Sequence, residues 1–208
     1  MSDVYRNYLE SPTSQGFAQL QVEVAAEPDF DPQGSFVFEL EAACERGDFR
    51  ETYWRTCEMP FAWVASPAAH FFAGIAAHEM GCYGEADLER FLFQTMLEGL
   101  LATGDGTAEA PYEITHVSDE NDILAYYSIS LGKNRRVGQQ LVRQADRLID
   151  VVYCGDLDEA EDAAQAIHFD VTNLAGVLTT ASVRPRPVSK FRALLAQNRL
   201  GFNKRAAF

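Results

Sequence analysis

The chain has few cysteines, and none of them stand in a pattern that would give them chemistry. Cys44, Cys57, Cys82 and Cys154 lie far apart with no CxxC pair, which excludes a zinc ribbon and a dithiol redox centre. Buried free thiols are the expectation. No apolar run is long enough to span a bilayer, since the longest helix candidate still carries Glu85, Asp87, Glu89, Arg90 and Glu98. The opening Met1-Ser2-Asp3-Val4-Tyr5-Arg6 has neither a basic stretch nor an apolar core, so no secretion signal is read there and a cytoplasmic protein is expected. GxSxG, GxxxxGK and GxGxxG are missing, which removes the nucleophile elbow, the P-loop and the dinucleotide fingerprint.

Positive charge is also scarce. Against 31 Asp and Glu stand 17 Lys and Arg, a formal net charge of -14. That field repels nucleic acid and anionic membranes and attracts a basic protein, the partner expected here. The imbalance is uneven along the chain: residues 1 to 172 hold all 31 acids and 10 of the bases, a net -21, and residues 173 to 208 hold seven bases and no acid.

Core-forming side chains are plentiful. Hydrophobic residues make up 47% of the 208 positions and aromatic ones 12%, with 14 Phe, enough for a packed core in one domain or two small ones. From Ser35 to Arg46, Phe36, Val37, Leu40, Ala43 and Cys44 fall on one helical face and Gly47 stops the run. Ser66-Pro67 then opens a helix striped by Phe71, Phe72, Ile75 and Ala76 and closed by Gly81. Glu85 to Ala102 carries a wide stripe of Leu88, Phe91, Leu92, Thr95, Met96, Gly99 and Leu100, which predicts burial on two sides.

Gly47-Asp48-Phe49 returns as Gly81-Cys82-Tyr83, 34 residues on. That is the tetratricopeptide period. The second unit resembles that family's pattern, with Gly74 at the small position and Gly81, Tyr83 and Ala86 at the turn and second helix; the first departs from it at Leu40 and Thr52. Two such units cannot stand alone as a solenoid, so they must pack on something else.

After the breaker Gly104-Asp105-Gly106, Pro111 to Val117 alternates like a strand, and Ser118 reads as the cap of a helix with Asp119, Glu120 and Asp122 in its first turn. Strands follow at Val137 to Arg143, Arg147 to Cys154 and Gln165 to Val171, with turns at Ala145-Asp146 and over Asp156 to Asp162. The expected fold is α+β: tetratricopeptide-like helical hairpins packed on a small antiparallel sheet with one covering helix. Residues 1-103 form the helical part, 104-175 the sheet part and 176-208 a basic tail, with the whole expected to fold as one cooperative unit. Val188 to Asn198 in the tail reads as a helix with Phe191, Leu194 and Leu195 on one face, expected to fold back on the acidic body by charge and that face, the other role being contact with a partner or a second copy.

The GDG step, Tyr112, the run Ser118-Asp119-Glu120-Asn121-Asp122-Ile123-Leu124, then Gln139-Gln140-Leu141, Asp150-Val151-Val152 and Ile167-His168-Phe169-Asp170-Val171 follow one another in a familiar order. Over residues 65 to 175 this resembles the bacterial domain-of-unknown-function family numbered four-nine-one-nine. The resemblance supports the fold and implies no catalytic residues; the tail beyond residue 175 departs from it.

Candidate chemistry is sparse. His70 and His78 lie eight apart with Glu79 adjacent, but Met80-Gly81-Cys82 follows in place of the second half of HExxH. His116 and His168 have no visible nucleophile partner. Asp156, Asp158, Glu159, Glu161 and Asp162 lack EF-hand spacing and read as a solvated hairpin tip that a basic partner can contact. Asp105 lies where a turn needing positive φ accounts for both neighbouring glycines. With no cofactor motif, the leading expectation is a non-enzymatic acidic module that binds a basic protein, an immunity or inhibitor protein for a basic toxin being one version. A homo-oligomer joined through the basic tail fits the same charges. The competing expectation is a hydrolase or transferase with a cleft at the helix-sheet junction, drawing on His78, Glu79, His116 and Asp105.

Overall fold

The computed structural model describes residues 2–131, 135–155 and 164–174. Within them lie seven α-helices: α1 (Asp3–Glu10), α2 (Ser14–Ala25), α3 (Ser35–Glu45), α4 (Phe49–Cys57), α5 (Pro67–Glu79), α6 (Tyr83–Leu101) and α7 (Val117–Leu131). Four strands, β1 (Tyr112–Glu113), β2 (Arg135–Gln144), β3 (Arg147–Gly155) and β4 (Gln165–Asp170), form one sheet in the order β1-β4-β3-β2. The fold is therefore α+β, paired helices followed by a sheet. No helix among the described residues is long and apolar enough to cross a membrane.

The 34-residue offset is structural. Gly47 and Gly81 both sit just past a helix end with φ of 74° and 79°, the left-handed turn a glycine adopts without a Cβ penalty. Gly74 faces α6, and a Cβ there would meet Glu89 Cβ at 3.5 Å and the Ala86 carbonyl at 3.7 Å, ordinary contacts that an alanine would also make. Thr52, where the repeat pattern has Ala, is buried and turns its hydroxyl onto the Asp48 carbonyl 3.1 Å away.

Two helices escaped the sequence reading. Ser2 and Thr13 cap α1 and α2 by accepting from Tyr5 N and Gly16 N, and these helices send Tyr5, Tyr8, Phe17, Leu20 and Val24 into the main core. That core also holds Met96 and Leu100 of α6, Ile123 of α7, and Leu148, Val152, Ile167 and Phe169 of the sheet. A second, smaller core joins Val37, Leu40, Trp63, Ala69 and Phe72 in the repeat pair. α6 is buried only over its C-terminal half: Leu88 and Phe91, assigned to its buried stripe by periodicity, are 54% and 49% exposed.

The sheet differs from expectation at one edge. β2, β3 and β4 form the antiparallel meander, but β1 pairs parallel with β4, Tyr112 opposite Phe169. β1 stops at Glu113 because the chain turns into α7: Asp119 Oδ2 accepts from Thr115 N and His116 N, both at 2.9 Å. This is the reach-back half of a capping box, so the helix starts at Val117 and Ser118 is not its cap. In the GDG step only Gly106 has positive φ, 78°. Gly104 is needed for a different reason, since a Cβ there would lie 2.3 Å from the Pro111 carbonyl oxygen.

Candidate functional site

The candidates from sequence are not brought together. His78 and Glu79 are exposed at the C-terminal end of α5. Asp105 is exposed in its loop, where Thr107 N donates to it and holds its carboxyl below the usual carboxylate range. His116 is completely buried at the start of α7, stacked on Trp63 at 4.3 Å and tilted against Phe30 at 5.3 Å. Burial drives its pKa down to about 4, with Ala62 and Asp31 pulling weakly upward, so the ring is neutral at pH 7. His70 is buried between two acceptors, Glu89 Oε2 at 2.7 Å and the Val64 carbonyl at 2.9 Å. These bonds fix α5 to α6 and to the turn before α5, and leave no open metal position. Asp156, Asp158, Glu159, Glu161 and Asp162 lie outside the described residues. Among those described, no three His, Cys, Asp or Glu groups gather to hold a metal ion. The thiols divide: Cys44 and Cys154 are buried as expected, Cys57 is exposed and Cys82 half-buried.

Two constellations emerge that the candidate residues did not include. The first is an aromatic edge on the repeat pair. Tyr53 of α4 donates to Glu85 Oε2 of α6 at 2.6 Å, and its ring lies 6.2 Å from that of Trp54. The hydrogen bonds to Glu85 and then to Cys82 raise the Tyr53 pKa. Tyr83, next to Cys82, meets the His78 ring at 5.3 Å. Trp54, Tyr83 and Met80 are 59%, 63% and 42% exposed, and Glu58, Glu79, Glu85 and Asp87 are exposed on the same segments. The basic side chains Arg46 and Arg55 are already paired, with Glu51 and with Glu39 and Glu51. The edge therefore offers open π faces among carboxylates. In α4 the one buried residue is Thr52, which leaves Tyr53 and Trp54 outside the core.

The second constellation is a buried polar junction between α7 and the sheet. Glu120 and Asp150 are 6% and 5% exposed. Gln139 Nε2 donates to Asp150 Oδ2, Arg136 Nη1 donates to Gln139 Oε1 at 3.0 Å, and Arg136 Nη2 lies 3.4 Å from Glu120 Oε2. Residues 136 and 139 would normally point to opposite faces of a strand. A bulge between Arg136 and Gly138 pairs them with Cys154 and Val152, which share one face, so both reach Asp150 and Glu120. Desolvation first, then the charge of Asp150, push the Glu120 carboxyl up to about 8, against the pull of Arg136. At pH 7 this carboxyl keeps its proton.

Compared with known proteins, the chain matches no family model, no curated protein and no solved structure.

Proposed function

We propose that the protein is a non-catalytic binding module that docks a basic protein on the aromatic and acidic edge of its repeat pair. The observation that carries the reading is the exposure of Trp54 and Tyr83 on the two helices that the Tyr53–Glu85 hydrogen bond joins. Tryptophan and tyrosine dominate the energetics of protein interfaces. The net -21 of residues 1 to 172 supplies the long-range attraction that brings a basic protein to that edge. An inhibitor or immunity protein for a basic bacterial toxin is the concrete version of this role.

The test begins with affinity capture and then measures binding of the captured partner to the full chain. Trp54→Ala is expected to weaken binding by about 30-fold, the effect of a hot-spot truncation of about 2 kcal/mol. The association rate should fall steeply as salt rises from about 10 mM to about 1 M, where the Debye length shrinks from about 30 Å to about 3 Å. A partner that is acidic, or that binds Trp54→Ala equally well, overturns the reading.

A second reading, a hydrolase or transferase at the helix-sheet junction, draws support from one feature. Glu120 and Asp150 form a carboxyl pair of which one member holds its proton near neutral pH, an arrangement that acid-base catalysis uses. Turnover of a small substrate lost in Glu120→Gln with the fold intact would favour it over the binding module.

A further inference from the structure

The aromatic edge also has a ligand of matching chemistry within this sequence. We infer that the edge formed by Tyr53, Trp54, Met80 and Tyr83 takes the Arg184-Pro185-Arg186-Pro187 segment from the tail of a second copy of the chain. This rests on the reading of the edge as a docking surface and names one occupant for it.

The two sides complement each other in three respects. Proline fixes its own φ near -65° and drives the preceding residue to extended geometry, so an Arg-Pro-Arg-Pro run favours a polyproline II helix. Such a helix has no internal hydrogen bonds and loses little entropy on docking, and aromatic-lined surfaces are the usual receptors for it. Guanidinium groups stack on tryptophan and tyrosine faces, and Trp54 and Tyr83 present theirs to solvent. Glu58 and Glu79, exposed on the same segments, can give the same groups charge-assisted hydrogen bonds. Residues 173 to 208 hold seven basic side chains and no acid, so no charge in the tail is repelled by the acidic edge.

A second copy is the source because each chain pairs an acidic body with a basic tail, which makes body and tail of different copies attract. A contact between unlike surfaces is heterologous, joining copies head to tail. A tail bound to its own body would protect Trp54 equally at every concentration, the outcome that overturns the inference.

The chain has two tryptophans, and Trp63 is only 2% exposed, so quenching of emission by a water-soluble quencher such as iodide reads Trp54. With full-length protein at low salt, raising the concentration from about 1 to about 100 µM, the range in which modest non-covalent affinities saturate, should cut the quenching constant at least twofold. The mean mass by sedimentation should rise in parallel. Arg184→Glu/Arg186→Glu, which leaves the described fold untouched, should abolish both effects, and Pro185→Ala/Pro187→Ala should weaken them. Quenching and mass that do not vary with concentration, or that vary equally in Arg184→Glu/Arg186→Glu, overturn the inference. A basic partner that needs Trp54 while self-association is absent sinks this inference and leaves the docking surface standing; a partner that ignores Trp54 removes both.

Discussion

Replacing Glu120 by glutamine should make the protein more stable, and increasingly so as pH rises. The carboxyl is buried against Asp150 with its pKa raised from 4.5 to about 8. Below pH 4.5 the folded and unfolded states both hold its proton, and the contribution to stability is complete. Between 4.5 and about 8 the unfolded chain releases the proton and the folded chain retains it, so stability falls as pH rises. The slope is about 1.4 kcal/mol per pH unit, which gives about 5 kcal/mol over the whole window as an upper bound. Glutamine has no proton to lose. Its amide N–H can donate to Asp150 and its oxygen can accept from Arg136, so the bonds at the junction survive the change.

The assay is urea unfolding at half-unit steps from pH 4.5 to 9, with the buried Trp63 as reporter. Subtracting wild type from variant cancels the repulsion common to both acidic chains. The difference should be near zero at pH 4.5 and reach about 2 to 5 kcal/mol by pH 8.5, a large share of a typical folding free energy. A difference that is flat with pH, or a variant less stable than wild type at pH 8, would refute a protonated Glu120 in the folded state.

Three further outcomes are expected. Gly99→Ala should lower stability by about 2 to 3 kcal/mol, measured as a fall in the urea midpoint, because the new Cβ would lie 2.3 Å from Tyr8 Oη and 2.5 Å from a ring carbon of the buried Phe17. A fragment of residues 1–103 should show no cooperative calorimetric transition, since its main core is completed by Ile123, Val152, Ile167 and Phe169. His116→Phe should remove an acid-side loss of stability: the imidazole pKa is depressed from 6.5 to about 4, so its contribution is present above 6.5 and falls by about 1.4 kcal/mol per unit as pH drops toward 4.

The repeat pair and three strands were legible because each rests on a local signal. Gly47 and Gly81 mark helix ends by a requirement of their own backbone; β4 alternates with the pleat, and β3 is a nearly continuous buried run. The aromatic edge was not legible, because a helical stripe tells which side is apolar and not whether anything covers it. Leu88 and Phe91 have the right phase for burial, yet they lie on the half of α6 that the main core does not reach. The strand assigned to residues 111–117 failed for another local reason: Asp119 reaches back to two amides that a longer strand would have needed for pairing. The junction was hidden for a third. Arg136 and Gln139 share a face only through a bulge, which no simple period of two predicts.

His116 and Glu120 stand one turn apart at the start of α7, and their couplings to pH have opposite signs. As pH falls from 6.5 to 4.5, the buried imidazole withdraws about 1.4 kcal/mol per unit while the buried carboxyl returns a similar amount, so the two nearly cancel. Above 6.5 only the carboxyl acts, and stability declines until about pH 8; below 4.5 only the imidazole acts. The groups that face them are not shared: Asp31 and the α7 residue Asp119 lie beside His116, and Asp150 of β3 and Arg136 of β2 beside Glu120. Removing one member should not disturb the other's titration by much. His116→Phe alone should therefore shift the pH of maximum stability downward, and Glu120→Gln alone should shift it upward. The double variant should be level from pH 4 to 8 apart from the background of the acidic surface. Two single variants whose optima move in the same direction would show that these groups do not titrate as their burial requires.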